Sequence, residues 1–340
     1  ELERNEESVA SYNKVIEIKP DYAEAYYNLG NVFNDLGKYK EALINYKKAT
    51  EINIDYSQAH DNAGVVYLKL NKISQALMQF DLSSSDDAKA RALECLYSLR
   101  NYDELFLRIN ALSKLGRMNI RVAAVSAFAA NQLKREDPYP FCKEALDFVF
   151  IDNLNNHHKN FQSFIKNIIS EAQQTNLIWE PKHTTTKLGY QTKDNIFKAG
   201  ENCGRLEDII KKEISIYYSN YKRENCFFIN YWPSNFSLQG WYVQLKKNGH
   251  QDSHIHPNAW LSGVIYLKII NSPESNEGAI EFGLHGYDLP ILDHQYPTKI
   301  IKPKMGDIVL FPSSLFHKTI PFTKEEERCV IAFDLIPSFN

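Results

Sequence analysis

The sequence predicts a multidomain protein, with an all-α repeat solenoid followed by a small β-barrel. In the first 90 residues, small and large apolar positions recur with a period of 34 residues, and helical apolar spacing continues to about residue 150. Beyond this point, short apolar runs bounded by Gly, Pro and Ser indicate strands, and several histidines lie near them. We therefore predict two domains, residues 1–150 and residues 151–340.

The repeats are recognised by aligning residues 23–56 with residues 57–90, an offset of 34 residues. This alignment superimposes Gly30 on Gly64 and Tyr46 on Phe80. The pattern is similar to tetratricopeptide repeats, in which small residues allow two antiparallel helices to nest and aromatic residues fill the gaps. Residues 1–20 fit the second helix of a preceding repeat.

Helical spacing also predicts the connection to the barrel. Residues 88–150 read as degenerate helical pairs that cap the solenoid. Amphipathic helices are expected within residues 151–175 and from Leu206 to Tyr218, packed on the outside of the barrel. Strands are expected from about Phe227 to the end of the chain.

Three histidines have the spacing of a mononuclear metal site. In an extended strand His254 and His256 would project to the same side, about 7 Å apart. His317 follows the apolar run Ile308 to Phe311, which indicates a buried strand. Three protein ligands on one side of an ion leave the other side open, as catalytic metal sites require. Two alternatives remain open here: Asp252 pairs with His254 instead, or some of these histidines are ordinary surface or core residues.

Arg328 lies eleven residues beyond His317 at the start of an alternating stretch. On an antiparallel strand adjacent to that of His317, its guanidinium would reach the same cavity and bind a carboxylate through two hydrogen bonds. The alternative is a surface ion pair with the acidic run Glu325 to Glu327. Tyr266 is a candidate hydrogen-bond donor to the same carboxylate-bearing molecule. Trp260 and Ser262 are further candidates with weaker support, although such residues in strands are more often part of the core.

Four ordered segments carry a family resemblance: HIHPNAWLSGVIYLK (254–268), EGAIEFG (277–283), KMGDIVLFPSSLFHKTIPF (304–322) and ERCVIAF (327–333). From about Trp179 to Asn340 the chain resembles the Fe(II)/2-oxoglutarate-dependent oxygenases, in particular a bacterial and phage group distantly related to prolyl 4-hydroxylases and often joined to tetratricopeptide repeats. The resemblance implies a double-stranded β-helix, or jelly-roll, barrel with flanking helices. His256 stands where the family usually has Asp or Glu. Three neutral imidazoles leave a divalent ion with its full +2 charge, and they also suit zinc.

The resemblance implies that His254, His256 and His317 bind Fe(II) and that Arg328, aided by Tyr266, holds the C5 carboxylate of 2-oxoglutarate. With O2, such a dioxygenase hydroxylates a C–H bond of a protein or peptide side chain or of a small metabolite. The repeats would recruit a protein or peptide, or serve only as a scaffold. The second hypothesis is a catalytically inactive or zinc-binding barrel that acts as a repeat-mediated protein-binding module.

Composition limits the remaining classes. A net charge of −3 gives no electrostatic case for nucleic acid or membrane partners. Five scattered cysteines without paired spacing fit a reducing, cytoplasmic environment, and the sequence has neither a signal peptide nor an apolar run long enough to span a membrane. The chain starts at Glu1, without Met and within a helical pattern, so we expect it to be part of a longer protein.

Overall fold

The computed structural model describes residues 2–116, 118–139, 141–182 and 184–338. It divides into two compact units, Glu1–Val125 and Ser126–Asn340. The first is helical and the second contains all the strands of the described residues, as the sequence predicted. The predicted domain boundary at residue 150 stays a prediction.

The repeats at residues 23–56 and 57–90 begin with two helices each, one helix precedes them, and further helices continue to Gln132. Their bounds are α1 (Leu2–Ile18), α2 (Ala23–Asp35), α3 (Tyr39–Ile52), α4 (Ser57–Lys69), α5 (Ile73–Leu82), α6 (Asp86–Ser98), α7 (Tyr102–Ser113) and α8 (Ile120–Gln132).

Glycine and aromatic positions of the repeat make direct contact. A Cβ atom added to Gly64 in α4 would lie 2.5 Å from a ring carbon of Phe80 in α5, so only glycine lets the two helices approach this closely. Gly30 and Tyr46 repeat the arrangement between α2 and α3, at 2.6 Å. The nesting inferred from the sequence is therefore present in both repeats.

Besides the end of α8 and three short 3-10 helices, the described residues of the second unit form three α-helices and two antiparallel sheets. Its helices are α9 (Phe161–Gln173), α10 (Glu201–Tyr221) and α11 (Phe227–Asn230). Its strands are β1 (Phe150–Asn153), β2 (Leu177–Trp179), β3 (Thr186–Thr192), β4 (Phe236–Gln251), β5 (Leu261–Lys268), β6 (Ile280–Gly283), β7 (Thr298–Ile301), β8 (Asp307–Pro312), β9 (Phe316–Thr319) and β10 (Arg328–Pro337).

The strands form one seven-stranded sheet, in the order β1-β8-β5-β10-β4-β3-β2, and one three-stranded sheet, in the order β7-β6-β9. Every strand pair is antiparallel, as in a jelly roll. One shared core includes Phe282 from the smaller sheet and Tyr266, Phe311 and Val330 from the larger. This packing brings side chains from both sheets to one interior.

The two amphipathic helices were predicted correctly, but the first strands were not. Strands begin at Phe150 rather than near Phe227, and Phe227–Asn230 is a short helix. Of the three missed strands, β3 has seven residues, TKLGYQT, with little apolar character, whereas β1 and β2 have only four and three residues and lie at the two edges of the larger sheet. Segments this short show no measurable alternation, so their pairing with neighbours decides their conformation.

Two further sequence-based expectations concern the cysteines and the helices. Cys95, Cys142, Cys203, Cys226 and Cys329 are all free thiols. Among the helices of the described residues, none combines the length and apolar character needed to cross a membrane.

Candidate metal and cosubstrate site

His254 and His256 follow strand β4, which ends at Gln251. His254 forms an isolated antiparallel bridge with His317 of β9, through backbone N–O distances of 3.1 and 3.0 Å. The His256 N–H donates to the carbonyl of Ser313 at 3.1 Å. The prediction that both histidines lie in a regular strand is therefore wrong. After Gln251 this segment leaves the larger sheet and pairs with β9 of the smaller sheet through His254. Pro257 has no N–H with which to continue a strand ladder.

The three imidazole rings converge. Ring centroids are 5.1 Å apart for His254 and His256, 4.3 Å for His254 and His317, and 5.1 Å for His256 and His317. One nitrogen from each ring lies within 4.8 Å of the other two, and the Nε2 atoms of His256 and His317 are 3.3 Å apart. A separation of 3.3 Å lets two donors lie about 2.0 to 2.1 Å from one ion, and the third ring is near enough to join them after a small side-chain movement.

Hydrogen bonds prepare the rings as ligands. Each Nδ1 atom contacts an acceptor: the carbonyl of Asp252 at 2.6 Å for His254, the Asp334 carboxylate at 2.9 Å for His256, and the carbonyl of Leu315 at 3.1 Å for His317. A proton on each Nδ1 leaves the Nε2 lone pair available to a metal.

Burial keeps two of these rings neutral. It lowers the pKa of His254 to about 3, with a further contribution from His256. Burial likewise lowers the pKa of His317 well below its ordinary value, and the neighbouring histidines add to the effect. Neutral imidazoles are the form that binds a metal, so the donor set fits a divalent ion.

The structure does not bring Asp252 into this cluster. Its side chain is more than half exposed, and its carboxylate lies 3.4 Å from His250. Its backbone carbonyl, in contrast, accepts the hydrogen bond from His254. The alternative pair Asp252 and His254 is therefore not the arrangement found.

Arg328 is almost completely buried, at 1% exposure, on strand β10. Its Nε donates to the Gly278 carbonyl at 3.1 Å, while its Nη1 has no hydrogen-bond partner. The guanidinium lies 5.0 Å from the centre of the Tyr266 ring, and the Tyr266 hydroxyl forms no hydrogen bond of ordinary geometry, although its interaction with the guanidinium opposes the effect of burial on the pKa of Arg328. Burial lowers the pKa of Arg328. Burying a charge without a counter-ion is costly, so this pair of groups fits a carboxylate ligand.

The acidic run before Arg328 has other partners. Glu325 pairs with Lys247, and Glu327 pairs with Lys246 and Lys268. Among the residues that the structure describes, none forms an ion pair with Arg328, so the surface ion pair considered above is absent there. The predicted adjacency is also wrong: β10 lies between β4 and β5, whereas β9 pairs with β6 in the other sheet. Arg328 reaches the cavity from the facing sheet.

One largely enclosed cavity of about 10 Å³ lies between the sheets. His254, His256, His317 and Arg328 all line it, with Thr319 and Ile280 from the smaller sheet among the other lining residues. A second, open cavity of about 310 Å³ shares the histidines His254 and His256 with the first. Its wall also includes uncharged side chains, namely Thr184, Thr185, Gln191, Trp241, Gln251 and Tyr287. The histidines thus separate a closed anion pocket from an opening to solvent.

Asp334 is the functional candidate that sequence reasoning missed. It lies on β10 at 8% exposure, and its carboxylate contacts His256 Nδ1 at 2.9 Å and accepts a hydrogen bond from Ser262 at 2.7 Å. A signal was present, because Asp334 is an acid within an apolar strand and shares the face of Arg328 at an even spacing. The two weaker cosubstrate candidates have other partners. Ser262 donates to Asp334, and the Trp260 indole donates to the Phe228 carbonyl at 2.9 Å.

Another cluster of ionisable groups involves Asp152, His157 and Glu213. His157 Nε2 lies 2.7 Å from Glu213 and 3.2 Å from Asp152. Glu213 has no exposed surface, and burial raises its pKa to about 7; the charge of Asp152 adds to the rise, while that of His157 opposes it. These groups form a buried charge network.

Two antiparallel sheets, three converging imidazoles and a buried arginine define a jelly-roll protein with a candidate mononuclear metal centre and an adjacent anion pocket. Residues 239–334 match the family described as "Putative 2OG-Fe(II) oxygenase". Residues 1–34 match a family of TPR repeats, and residues 23–56 match the tetratricopeptide repeat. The family recognised from the sequence is confirmed for these ranges. Fe(II) and 2-oxoglutarate, the predicted metal and cosubstrate, are the two that the family description names.

Solved structures also resemble parts of the chain. A prolyl-4-hydroxylase from Pseudomonas putida is 13% identical, with 56% of this chain and 93% of that chain covered and a TM-score of 0.40. HygX from Streptomyces hygroscopicus, solved with nickel and 2-oxoglutarate, is 15% identical, with 58% and 88% covered and a TM-score of 0.40. YrrB, a TPR protein with an unusual peptide-binding site, is 22% identical, with 41% and 74% covered and a TM-score of 0.34. No curated protein sequence matches the chain.

Proposed function

We propose that this protein is an Fe(II)- and 2-oxoglutarate-dependent dioxygenase that hydroxylates a protein or peptide side chain or a small metabolite. The observation that carries the proposal is the combination, in one cavity, of three convergent imidazoles and a buried arginine for which the described residues supply no counter-ion. The match of residues 239–334 to the oxygenase family supports it independently.

Each residue has a specific part in this proposal. The Nε2 atoms of His254, His256 and His317 hold the metal, because their Nδ1 atoms are already hydrogen bonded. Arg328 binds the far carboxylate of 2-oxoglutarate through its free Nη1, and the Tyr266 hydroxyl donates to the same carboxylate. The apolar core around this end excludes water and so strengthens the ion pair.

When bound, Fe(II) and 2-oxoglutarate supply the chemistry that uses O2 to convert a C–H bond into an alcohol, with succinate and CO2 as coproducts. The open cavity beside His254 and His256 admits the substrate. Its wall carries amide, hydroxyl and aromatic side chains, which suits a neutral group with hydrogen-bonding capacity. The tetratricopeptide repeats recruit the protein that carries it, since stacked helix pairs form extended binding surfaces.

Anaerobic reconstitution with Fe(II) and 2-oxoglutarate tests the core of this proposal. We expect the visible metal-to-ligand charge-transfer band in the unaltered protein and its loss in His317→Ala, because one of three ligands is missing. His250→Ala is the matched control and should keep the band, because His250 lies outside the cluster. An unaltered protein without the band would contradict the proposal.

The second candidate, an inactive or zinc-binding module, predicts a different result. Zinc would bind tightly, and Fe(II) with 2-oxoglutarate would give neither the band nor consumption of 2-oxoglutarate. The buried guanidinium argues for the dioxygenase, because a barrel without an anionic cosubstrate gains nothing from an unpaired charge in its core. Full retention of iron in His256→Ala would favour a different ligand set.

A further inference from the structure

The ligand set of this protein has no carboxylate. Three neutral imidazoles leave a divalent ion with its full charge, whereas a carboxylate ligand would lower the net charge by one. A carboxylate does lie nearby, however, one hydrogen bond beyond a ligand ring. Asp334 contacts His256 on the ring nitrogen that faces away from the other histidines.

The three histidines are therefore chemically different. His254 and His317 place their Nδ1 atoms against the neutral backbone carbonyls of Asp252 and Leu315. Only His256 has a carboxylate in this position. Hydrogen bonding to a carboxylate makes an imidazole a stronger donor to a metal and fixes its ring orientation.

The position of Asp334 is fixed by rigid neighbours. It lies directly opposite Ser262, where strands β10 and β5 pair. The Ser262 hydroxyl donates to the second carboxylate oxygen at 2.7 Å and lies 2.8 Å from the Ser313 hydroxyl. Ser313 also supplies the carbonyl that accepts the His256 N–H. One hydrogen-bonded network thus holds both the carboxylate and the ring it contacts.

We propose that Asp334 is a positioning residue that supplies, through the His256 ring, the negative charge that a carboxylate ligand would otherwise bring to the metal. This inference rests on the proposed function, because it assumes that the three histidines bind the metal. It explains how His256 can replace a carboxylate: the charge moves from the ligand to the group behind it. Asp334 does not contact the metal or the substrate.

Asp334→Asn tests this directly, because the amide oxygen can still accept the His256 hydrogen bond while the charge is lost. We expect the affinity for Co(II), used as an air-stable probe, to fall by about 10- to 100-fold. Trp241 stacks beside His256 with ring centroids 5.7 Å apart, so quenching of tryptophan fluorescence reports the binding. Asp252→Asn is the matched control, because it removes a nearby charge that contacts none of the three histidine side chains, and its affinity should stay close to the original.

A double-mutant cycle separates the charge from a merely structural role. In His256→Asp the ligand itself carries the charge, so adding Asp334→Asn should leave Co(II) affinity unchanged or improve it. An equal loss in both backgrounds would overturn the inference, as would unchanged affinity in Asp334→Asn alone. Loss of the Asp334 charge should also raise the reduction potential of bound iron, because a more positive site disfavours Fe(III).

Two further results keep the conclusions distinct. If the unaltered protein binds neither Co(II) nor Fe(II), the proposed function fails, whereas tight binding that is insensitive to Asp334→Asn refutes only the role of Asp334. If Asp334→Asn does not fold, Ser262→Ala replaces it, because this change keeps the carboxylate but removes a bond that orients it. We then expect a smaller loss of affinity in the same direction, and unchanged affinity would overturn the inference.

Discussion

Arg328 and Glu213 are both ionisable and both buried in the second unit, but their surroundings differ. Arg328 has an Nη1 atom without a partner, whereas Glu213 lies 2.7 Å from His157 and shares that ring with Asp152. The first arrangement is completed by a ligand from outside. The second is an ion-pair network within the fold, although both Glu213 carboxylate oxygens lack a hydrogen bond of ordinary geometry, and it leaves Glu213 with a raised pKa. Each residue therefore predicts a different measurable property.

Replacing Arg328 should separate stability from ligand binding. Arg328→Met removes an unpaired buried charge, so we expect the ligand-free protein to be as stable as the original or more stable. The same change should weaken 2-oxoglutarate binding in the Co(II)-loaded protein by about 2 to 5 kcal/mol, because the carboxylate loses its charged partner. Titration of 2-oxoglutarate, followed by tryptophan fluorescence, measures this loss.

Arg328→Lys is the companion variant. It keeps the positive charge but lacks the planar pair of donors, so it should recover only part of the affinity. An affinity equal to that of the original protein in Arg328→Met would mean that the cosubstrate binds elsewhere.

Glu213 predicts a dependence of stability on pH. Its pKa is about 7 in the folded state against 4.5 for the ordinary side chain, so folding favours the protonated form. The stabilising contribution is complete below pH 4.5 and is lost as the pH rises through 7. As the pH rises from 5 to 8, the original protein should therefore lose about 1 to 3 kcal/mol of unfolding free energy that Glu213→Gln does not lose.

The measurement is urea unfolding with a chelator present, followed by tryptophan fluorescence. All 4 tryptophans lie in the second unit, at positions 179, 232, 241 and 260, so the signal reports that unit alone. Glu207→Gln on the same helix is the control, because Glu207 forms a partly exposed pair with Lys211. A difference between Glu213→Gln and the original protein that does not change with pH would refute this prediction.

A few close contacts between neighbouring elements set the geometry of the helix pairs and of the strand pairs. In the repeats, Gly64 allows the Phe80 ring to lie against the backbone of α4. In the barrel, the β10 and β5 register places Asp334 opposite Ser262, and β10 also carries Arg328. One strand therefore supplies the groups behind both the metal and the anion pocket.

Gly64→Ala should destabilise the repeats. The added methyl group would overlap the Phe80 ring, which costs about 1 to 3 kcal/mol and outweighs the roughly 0.5 to 1 kcal/mol by which alanine favours a helix. Thermal unfolding followed by far-ultraviolet circular dichroism measures the change. Gly204→Ala in α10 is the control, because its methyl group would meet only a backbone oxygen at 3.8 Å, and we expect it to be neutral or stabilising. Equal effects of the two substitutions would contradict the packing argument.

The whole chain joins helical repeats to a barrel with a candidate metal site, and its net charge is only −3. A net charge this small produces no strong overall field, so local surfaces carry more weight in recognition. In the barrel, the local surface is the uncharged wall of the open cavity beside the histidines. Binding there and in the closed pocket should stabilise the folded chain.

Co(II) together with 2-oxoglutarate should raise the unfolding free energy reported by the tryptophans. Ligands at about 100 times their dissociation constants add about 2.7 kcal/mol, provided that the unfolded chain does not bind them. We expect 2-oxoglutarate alone to give a smaller shift, because the metal supplies part of its binding site. His317→Ala should abolish the joint effect, and a shift that survives this change would place the ligands elsewhere.

The sequence by itself determined the repeat period, the two-part architecture, and the residues His254, His256, His317, Arg328 and Tyr266 as candidates. These followed from local patterns: a fixed period, short apolar runs and the order of four segments. Such patterns can be recognised along the chain because each depends on residue order and spacing and not on which distant segments come into contact.

Only the tertiary structure decided how these residues meet. It placed His254 in a bridge with β9 rather than in a regular strand, brought Arg328 in from the facing sheet, and put Asp334 behind His256. Asp334 and His256 are 78 residues apart, and their contact depends on strand register and on the packing of the sheets. Contacts of this range arise from the fold as a whole, because no local preference of the chain encodes which distant strands will pair.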